Sequence, residues 1–252
     1  MSFEVAAQAY GQFMGRYSEP LADRLLDLLA LRPGRRAVDV GCGPGALTAR
    51  LVDRLGVPQV CALDPSGPFV AAVRDRIRGL DVRQGHAEDL PWPDGTFDAA
   101  AASLVVHFMR DPVAGLREMG RVTRDSGVVA ATVWDHAGDR GPISTFWRAV
   151  RDLDPAAPDE SGLAGARAGH LAQLFSEAGL TVLRDTELTV RIRYGSVEEW
   201  WQPYTLGVGP AGAHVAGLAE PEREALRRRC VELLPTAPFD IDAAAWCVVG
   251  RR

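Results

Sequence analysis

AVDVGCGPGALTARLVDRLGVPQV, residues 37–60, is the stretch around which the rest of this chain is arranged. Ala37–Val40 reads as a buried strand, glycines at 41, 43 and 45 follow as a turn, and Leu47, Leu51 and Leu55 then recur every four residues. That spacing lays one apolar stripe along a helix. The glycines permit positive φ and leave no Cβ between a ligand and the backbone. The helix start behind them offers unpaired N–H groups. A second strand, Val60–Leu63, runs into Asp64. Strand, glycine loop, helix, strand and acid together make a nucleoside-binding α/β fold, in which the acid accepts hydrogen bonds from ribose hydroxyls.

Dinucleotide sites space their glycines G-x-G-x-x-G, with a pyrophosphate over the helix N-terminus. Here the spacing is G-x-G-x-G, and Asp39 precedes the first glycine by two residues. An acid there repels a pyrophosphate but suits a cationic amino group. Asp39 to Gly45, DVGCGPG, resembles the first motif of the class I S-adenosylmethionine (SAM)-dependent methyltransferases. The similar branch is the one that includes the ubiquinone- and menaquinone-biosynthesis enzymes. A second stretch, GHAEDLPWPDGTFDAA (Gly85–Ala100), resembles that family's adenine-binding segment, with His86 in place of the family's acid. A neutral imidazole can still accept a hydrogen bond through one ring nitrogen.

The resemblance implies an α/β fold: a Rossmann-like, seven-stranded, mostly parallel sheet with helices on both faces, an antiparallel final strand and a mainly helical cap from insertions. It implies SAM as cofactor and S-adenosylhomocysteine as product. Asp39, Gly41, Cys42, Gly43 and Gly45 would hold the methionine end, Asp64 and Pro65 the ribose, and His86, Ala87 and Glu88 the adenine. Ser103 would face the cofactor from the end of the fourth strand, and Arg16 and Tyr17 from an N-terminal lid, with the arginine suited to a carboxylate.

Composition narrows the alternatives. At 252 residues the chain suits a single domain, with lid helices over 1–34, a SAM-binding core over 35–135, and cap or substrate excursions over 138–169 and 195–240. All 28 basic residues are arginine, and the net charge of −5 gives no field that would draw in nucleic acid. The arginine run Arg227–Arg229 is too short to form a basic face. Cys42, Cys61, Cys230 and Cys247 form no C-x-x-C pair, which fits a reducing cytoplasm and argues against a metal. No export signal or membrane span is read.

Along the chain, residues 3–17 are aromatic-rich (Phe3, Tyr10, Phe13, Tyr17), and Leu21–Leu31 reads as a helix stopped by Arg32-Pro33-Gly34. Phe69, Val70, Val73 and Ile77 mark a helix, Val82–Gln84 a strand, and the small apolar run Phe97–Ser103 a central parallel strand. Asp111-Pro112 caps a helix, Ser126-Gly127 turns into a strand over 128–133, and Ile143–Leu153 is a helical piece of the first excursion. Leu171–Gly179 is a capped helix, and Leu188 to Tyr194 alternate as a half-exposed strand. Helix Glu222–Leu234 and a buried strand Ala243–Gly250 follow.

A sulfonium methyl needs no metal and no covalent intermediate, only an in-line, desolvated nucleophile. His107, just past the fourth strand, is the candidate base, with His136 as the other contender. A shell histidine that moves no proton is the competing role for His107. Tyr10, Trp134, Phe146, Trp147, Trp200, Trp201 and Tyr204 would line an acceptor pocket, or else form the cap's own core. The function expected is methyl transfer to a small aromatic, quinone-like or secondary-metabolite acceptor by a monomer or homodimer, without nucleic-acid or membrane partners. A SAM-binding protein of this fold without methyl transfer is the alternative; the glycine spacing opposes an NAD(P)-dependent oxidoreductase.

Overall fold

The computed structural model describes residues 7–157 and 159–252, so Phe3 lies outside the described residues. The apolar runs become seven strands: β1 (Ala37–Val40), β2 (Val60–Asp64), β3 (Asp81–Gln84), β4 (Phe97–Ser103), β5 (Thr123–Trp134), β6 (Thr181–Tyr194) and β7 (Phe239–Arg251). They form one sheet in the order β3-β2-β1-β4-β5-β7-β6. β7 pairs antiparallel with both neighbours and the other pairings are parallel. This is the seven-stranded, mostly parallel sheet expected.

The helices are α1 (Arg16–Leu29), α2 (Ala46–Leu55), α3 (Gly67–Arg76), α4 (Pro112–Val122), α5 (Ser144–Leu153), α6 (His170–Glu177), α7 (Val197–Trp201), α8 (Gly209–Gly217) and α9 (Glu220–Leu233). Alternate strand residues feed opposite layers, as the period of two requires. Ala99 and Ala101 of β4 pack with Leu25 of α1, Leu51 of α2 and Val73 of α3. Ala100 and Ala102 pack with Leu116 of α4 and Phe175 of α6. A third apolar cluster lies beyond the sheet, where α5 and α7–α9 bury Phe146, Trp200, Tyr204 and Cys230 with Phe13, Tyr17 and Trp134.

Several boundaries differ from the sequence reading, among them β6, which starts at Thr181 rather than Leu188. The helix read from Leu21 starts at Arg16, led in by a short helix over Ala7–Tyr10 and a π turn over Gly11–Gly15, and has Pro20 inside it. Pro20 forfeits a hydrogen bond there, but the buried row Tyr17, Leu21, Leu25 keeps the segment helical. The helix ends at Leu29, where Ala30 takes φ +46 and donates to Leu26 O at 3.1 Å. β5 begins at Thr123, not at 128, so Gly127 sits at an irregularity within the strand rather than in a turn before it. A Cβ on Gly127 would stand 2.5 Å from Asp98 O, so the two strands approach too closely there for a side chain. β7 starts at Phe239, opposite Tyr194.

β1 leads outward to β2 and β3, whereas β4 leads the other way to β5, so strand order reverses between β1 and β4. In open sheets of this kind the crevice outside the carboxyl ends at that reversal is where ligands sit. The glycine loop opens from one lip, and Leu104–Phe108 closes the other.

Candidate functional site

The glycine loop is set by backbone contacts that only these residues permit. Gly41 takes φ +73, and a Cβ on it would lie 2.4 Å from Val105 Cγ1. Gly43 and Gly45 also have positive φ, and nothing stands within 4 Å of where a Gly43 Cβ would be. The N–H groups of Gly41 and Cys42 both donate to Leu63 O, at 2.7 and 3.0 Å, which ties the loop to the end of β2. Asp64 finishes the tie: its Oδ2 accepts from Gly43 N and its Oδ1 from Ser66 N, each at 2.8 Å. Each oxygen keeps a lone pair for a ligand hydroxyl.

Asp39 lies beneath this loop, 1% exposed, with its Oδ2 accepting from Thr48 Oγ1 at 2.6 Å. Burial pushes its pKa up to about 7, with the Asp64 charge adding and the Thr48 hydrogen bond opposing. Burial likewise raises Asp64 against its two backbone donors. No basic side chain pairs with either carboxylate among the described residues. A buried carboxylate without a counter-charge is poised to receive a cation.

Three adjoining cavities occupy the crevice. The first is walled by Asp39, Gly41, Cys42, Gly43, Asp64, Pro65 and Ser103, together with Ser18, Phe69 and Val105. The second shares Gly41, Pro65, Val105 and Phe108 with it and adds Leu63, His86, Ala87, Glu88, Met109 and Arg110. His86 is exposed and Ala87 buried, while Glu88 Oε1 accepts from Arg110 N at 2.8 Å and pins the segment beside α4. Leu63, Val105 and Met109 offer apolar surface to a flat ring. An acid without a cation, a loop open to close backbone approach, a carboxylate at the end of β2 and an apolar slot fit SAM in charge and shape.

The third cavity adjoins the first through Tyr10, Leu104 and Phe108. Phe13, Met14, His107, Trp134, His136, Ile143, Glu160 and residues 208–211 complete its wall. Leu104 sits between the cavities with φ +63, its N–H held by Thr132 O at 2.9 Å. That backbone conformation is costly for a residue with a Cβ, and such strain clusters at functional sites. His107 lies against Phe108 with ring centroids 3.9 Å apart and 6.1 Å from the His136 ring. Burial drives His107 down to about 3, with His136 contributing, and His136 down to about 4, so both rings are neutral. His107 Nδ1 and Trp134 Nε1 are buried without a hydrogen-bond partner among the described residues.

Several expected residues lie elsewhere. Arg16 points away from the crevice: it pairs with Glu199 at 2.8 Å, donates to Arg193 O and stacks over Tyr194. Tyr17 shares a 2.8 Å hydrogen bond with Tyr194 and packs edge-on against Trp134, behind the cavity wall. Phe146, Trp147, Trp200, Trp201 and Tyr204 are buried on one another, with Phe146 and Tyr204 stacked at 4.7 Å, and line none of the three cavities. Large aromatic surfaces are most stable when fully buried, and the excursions had no other core to build. Gly45 shapes the loop without facing the first cavity. The sequence reading missed Phe108, Ile143 and Glu160; Phe108, beside His107, was the nearest to a readable signal.

Comparison with known proteins agrees with this geometry. A family described as a methyltransferase domain matches residues 38–131. The chain is 31% identical over 196 residues to a malonyl-[acyl-carrier protein] O-methyltransferase of Salmonella typhimurium, covering 72% of this chain and 77% of that one. It is 33% identical over 137 residues to a chloroplastic 2-methyl-6-phytyl-1,4-hydroquinone methyltransferase of Oryza sativa, covering 53% of this chain and 37% of that protein. The first curated relatives are thus matched over 37% to 59% of their own length. Among solved structures, the geranyl diphosphate C-methyltransferase of Streptomyces coelicolor, in complex with Mg²⁺, geranyl diphosphate and S-adenosylhomocysteine, shares the fold. Its TM-score is 0.57 at 14% identity, over 94% of this chain and 80% of that one. Because the Salmonella relative, 31% identical, is matched over 77% of its own length, the chain belongs to the class I SAM-dependent methyltransferase family.

Proposed function

We propose that the chain transfers the methyl group of SAM to a small-molecule acceptor held in the third cavity. The observation that carries this reading is Asp39: a fully buried acid with no protein cation, beneath a glycine loop that is open at Gly43. In this reading Asp39 receives the amino group of the methionine end, and Gly41, Cys42 and Gly43 present backbone to it. Asp64 receives ribose hydroxyls, while His86, Ala87 and Glu88 flank the adenine. Residues 35–135 are the cofactor core, the N-terminal segment is a lid through Tyr10, and the excursions supply the acceptor side.

The bound sulfonium brings an already activated methyl group. The chain's own task is then to orient the acceptor and strip it of water, and positioning of that kind is worth about 7–11 kcal/mol. His107 serves as a neutral hydrogen-bond acceptor for the incoming molecule rather than as a proton store, because its burial opposes the imidazolium. Aromatic and quinol-like acceptors suit the apolar walls. No helix among the described residues is long and apolar enough to cross a membrane, and the free cysteines fit a reducing compartment such as the cytoplasm.

Calorimetric titration with SAM, S-adenosylhomocysteine and NADH, followed by transfer of labelled methyl from SAM to a panel of phenols, quinols and amines, tests the reading. Binding of both sulfur nucleosides, silence from NADH and label in an acceptor are expected. Binding of NADH alone would overturn the reading. Binding of SAM with no transfer to any acceptor would leave only a SAM-binding role.

A further inference from the structure

Five carboxylates are buried among the described residues, and they divide cleanly. Asp98 is held by Arg35, Arg124 and the Arg36 N–H, and Asp135 by Arg140 and the Gly138 N–H. These two are structural, and their charge is compensated. Asp39, Asp64 and Glu160 have no arginine, and all three line the crevice cavities. Two of the three belong to the cofactor side. Glu160 is left over.

Glu160 lies between α5 and α6, 5% exposed, and its Oε2 accepts from Trp147 Nε1 at 2.7 Å. Burial, with the Asp159 charge adding, raises its pKa to about 7. The cavity it faces is walled by the rings of Tyr10, Phe13, Phe108 and Trp134 and by two neutral imidazoles. No arginine lines that cavity, and the chain contains no lysine. An unpaired carboxylate behind aromatic faces is complementary to an ammonium ion: the carboxylate neutralises it, the ring faces attract it, and the imidazole nitrogens accept its N–H groups. An anionic ligand would instead meet a like charge between apolar walls.

We propose that the methyl acceptor carries a basic amino group, which Glu160 anchors as an ammonium ion inside the aromatic-walled cavity. The word acceptor rests on the methyl-transfer reading above; the binding site itself does not. Held as an ammonium, that nitrogen has no lone pair to offer, so it is the recognition handle and the methyl group goes to another atom of the acceptor. Glu160 is a positioning residue in this scheme.

The test titrates benzylamine, benzyl alcohol and benzoate into the protein saturated with S-adenosylhomocysteine, for the parent and for Glu160→Gln. The three probes share a ring and differ in charge. Benzylamine should bind at least about tenfold more tightly than benzyl alcohol, with benzoate weakest, and Glu160→Gln should lose that preference. S-adenosylhomocysteine affinity should be unchanged by the substitution. Equal or better binding of the alcohol or benzoate, no binding of any probe, or an amine preference that survives Glu160→Gln would overturn the proposal. The ranking in the parent decides the matter if the variant does not fold. Absence of S-adenosylhomocysteine binding would refute the cofactor reading instead, so the two failures are distinguishable.

Discussion

Asp39→Asn should stabilise the protein without ligand at alkaline pH and at the same time remove most of its hold on SAM. In the folded protein the Asp39 pKa rises from its ordinary 3.8 to about 7 because burial disfavours the carboxylate. Between those values the folded state retains a proton that the unfolded chain has released, so stability falls as pH rises through the window. Above it the penalty is complete. Three pKa units correspond to about 4 kcal/mol, an upper bound that solvent entering the crevice would reduce. Asparagine has the same shape, can still accept from Thr48 Oγ1 through its amide oxygen and does not titrate. Urea unfolding of parent and variant at pH 5 and pH 8, without ligand, measures the effect. The variant's advantage should grow by about 2–4 kcal/mol between the two. Glu160, also raised, contributes the same slope to both proteins and cancels in the difference, whereas Asp64, whose charge raises Asp39, is itself relieved in the variant and adds to the advantage at alkaline pH. Calorimetry should show SAM binding weakened by about a hundredfold or more, since its cation loses a buried partner. Parallel pH dependences, or equal SAM affinity, would refute the reasoning.

Three further substitutions separate loop geometry, strand packing and surface charge. Gly41→Ala forces a Cβ to 2.4 Å from Val105 Cγ1 at φ +73; it should cost about 2–5 kcal/mol in urea unfolding and abolish calorimetric SAM binding, with Val105→Ala restoring part of the stability. Gly127→Ala meets the Asp98 carbonyl at 2.5 Å, far from the crevice; it should lower the urea midpoint by a comparable energy, about 2–3 kcal/mol, yet leave the SAM affinity of the folded protein unchanged. Arg16→Ala removes a part-exposed pair with Glu199; SAM affinity by calorimetry should stay within about twofold, and stability within about 1 kcal/mol, because such pairs are weak in water. A large loss of SAM affinity in the last case would mean that Arg16 turns into the crevice.

The stretch from Asp39 to Gly45, Asp64 and the segment Gly85–Glu88 were readable from the sequence because each encodes its own geometry over a few residues. Glycine at three fixed positions dictates a turn that no other residue allows, and a strand's alternation or uniform apolarity reports which faces are buried. The sheet order followed from that pattern together with the family resemblance, since parallel strands joined by helices can close in few ways. What the sequence could not assign was direction over long separations. Arg16 and Tyr17 follow Tyr10 beyond a π turn over Gly11–Gly15 whose winding departs from the α-helical period, which leaves Tyr10 in the crevice and Arg16 on Glu199. The cap aromatics could serve a ligand or one another, and burial on one another prevailed because it removes more apolar surface from water. Glu160 had no motif at all; only the tertiary fold brings it to face residues 53 and more positions earlier in the chain, such as His107. Charge state was decided at the same level. The residue types at Asp39, His107 and Glu160 are written in the sequence, but whether each carries a proton depends on how completely the folded chain excludes water from it.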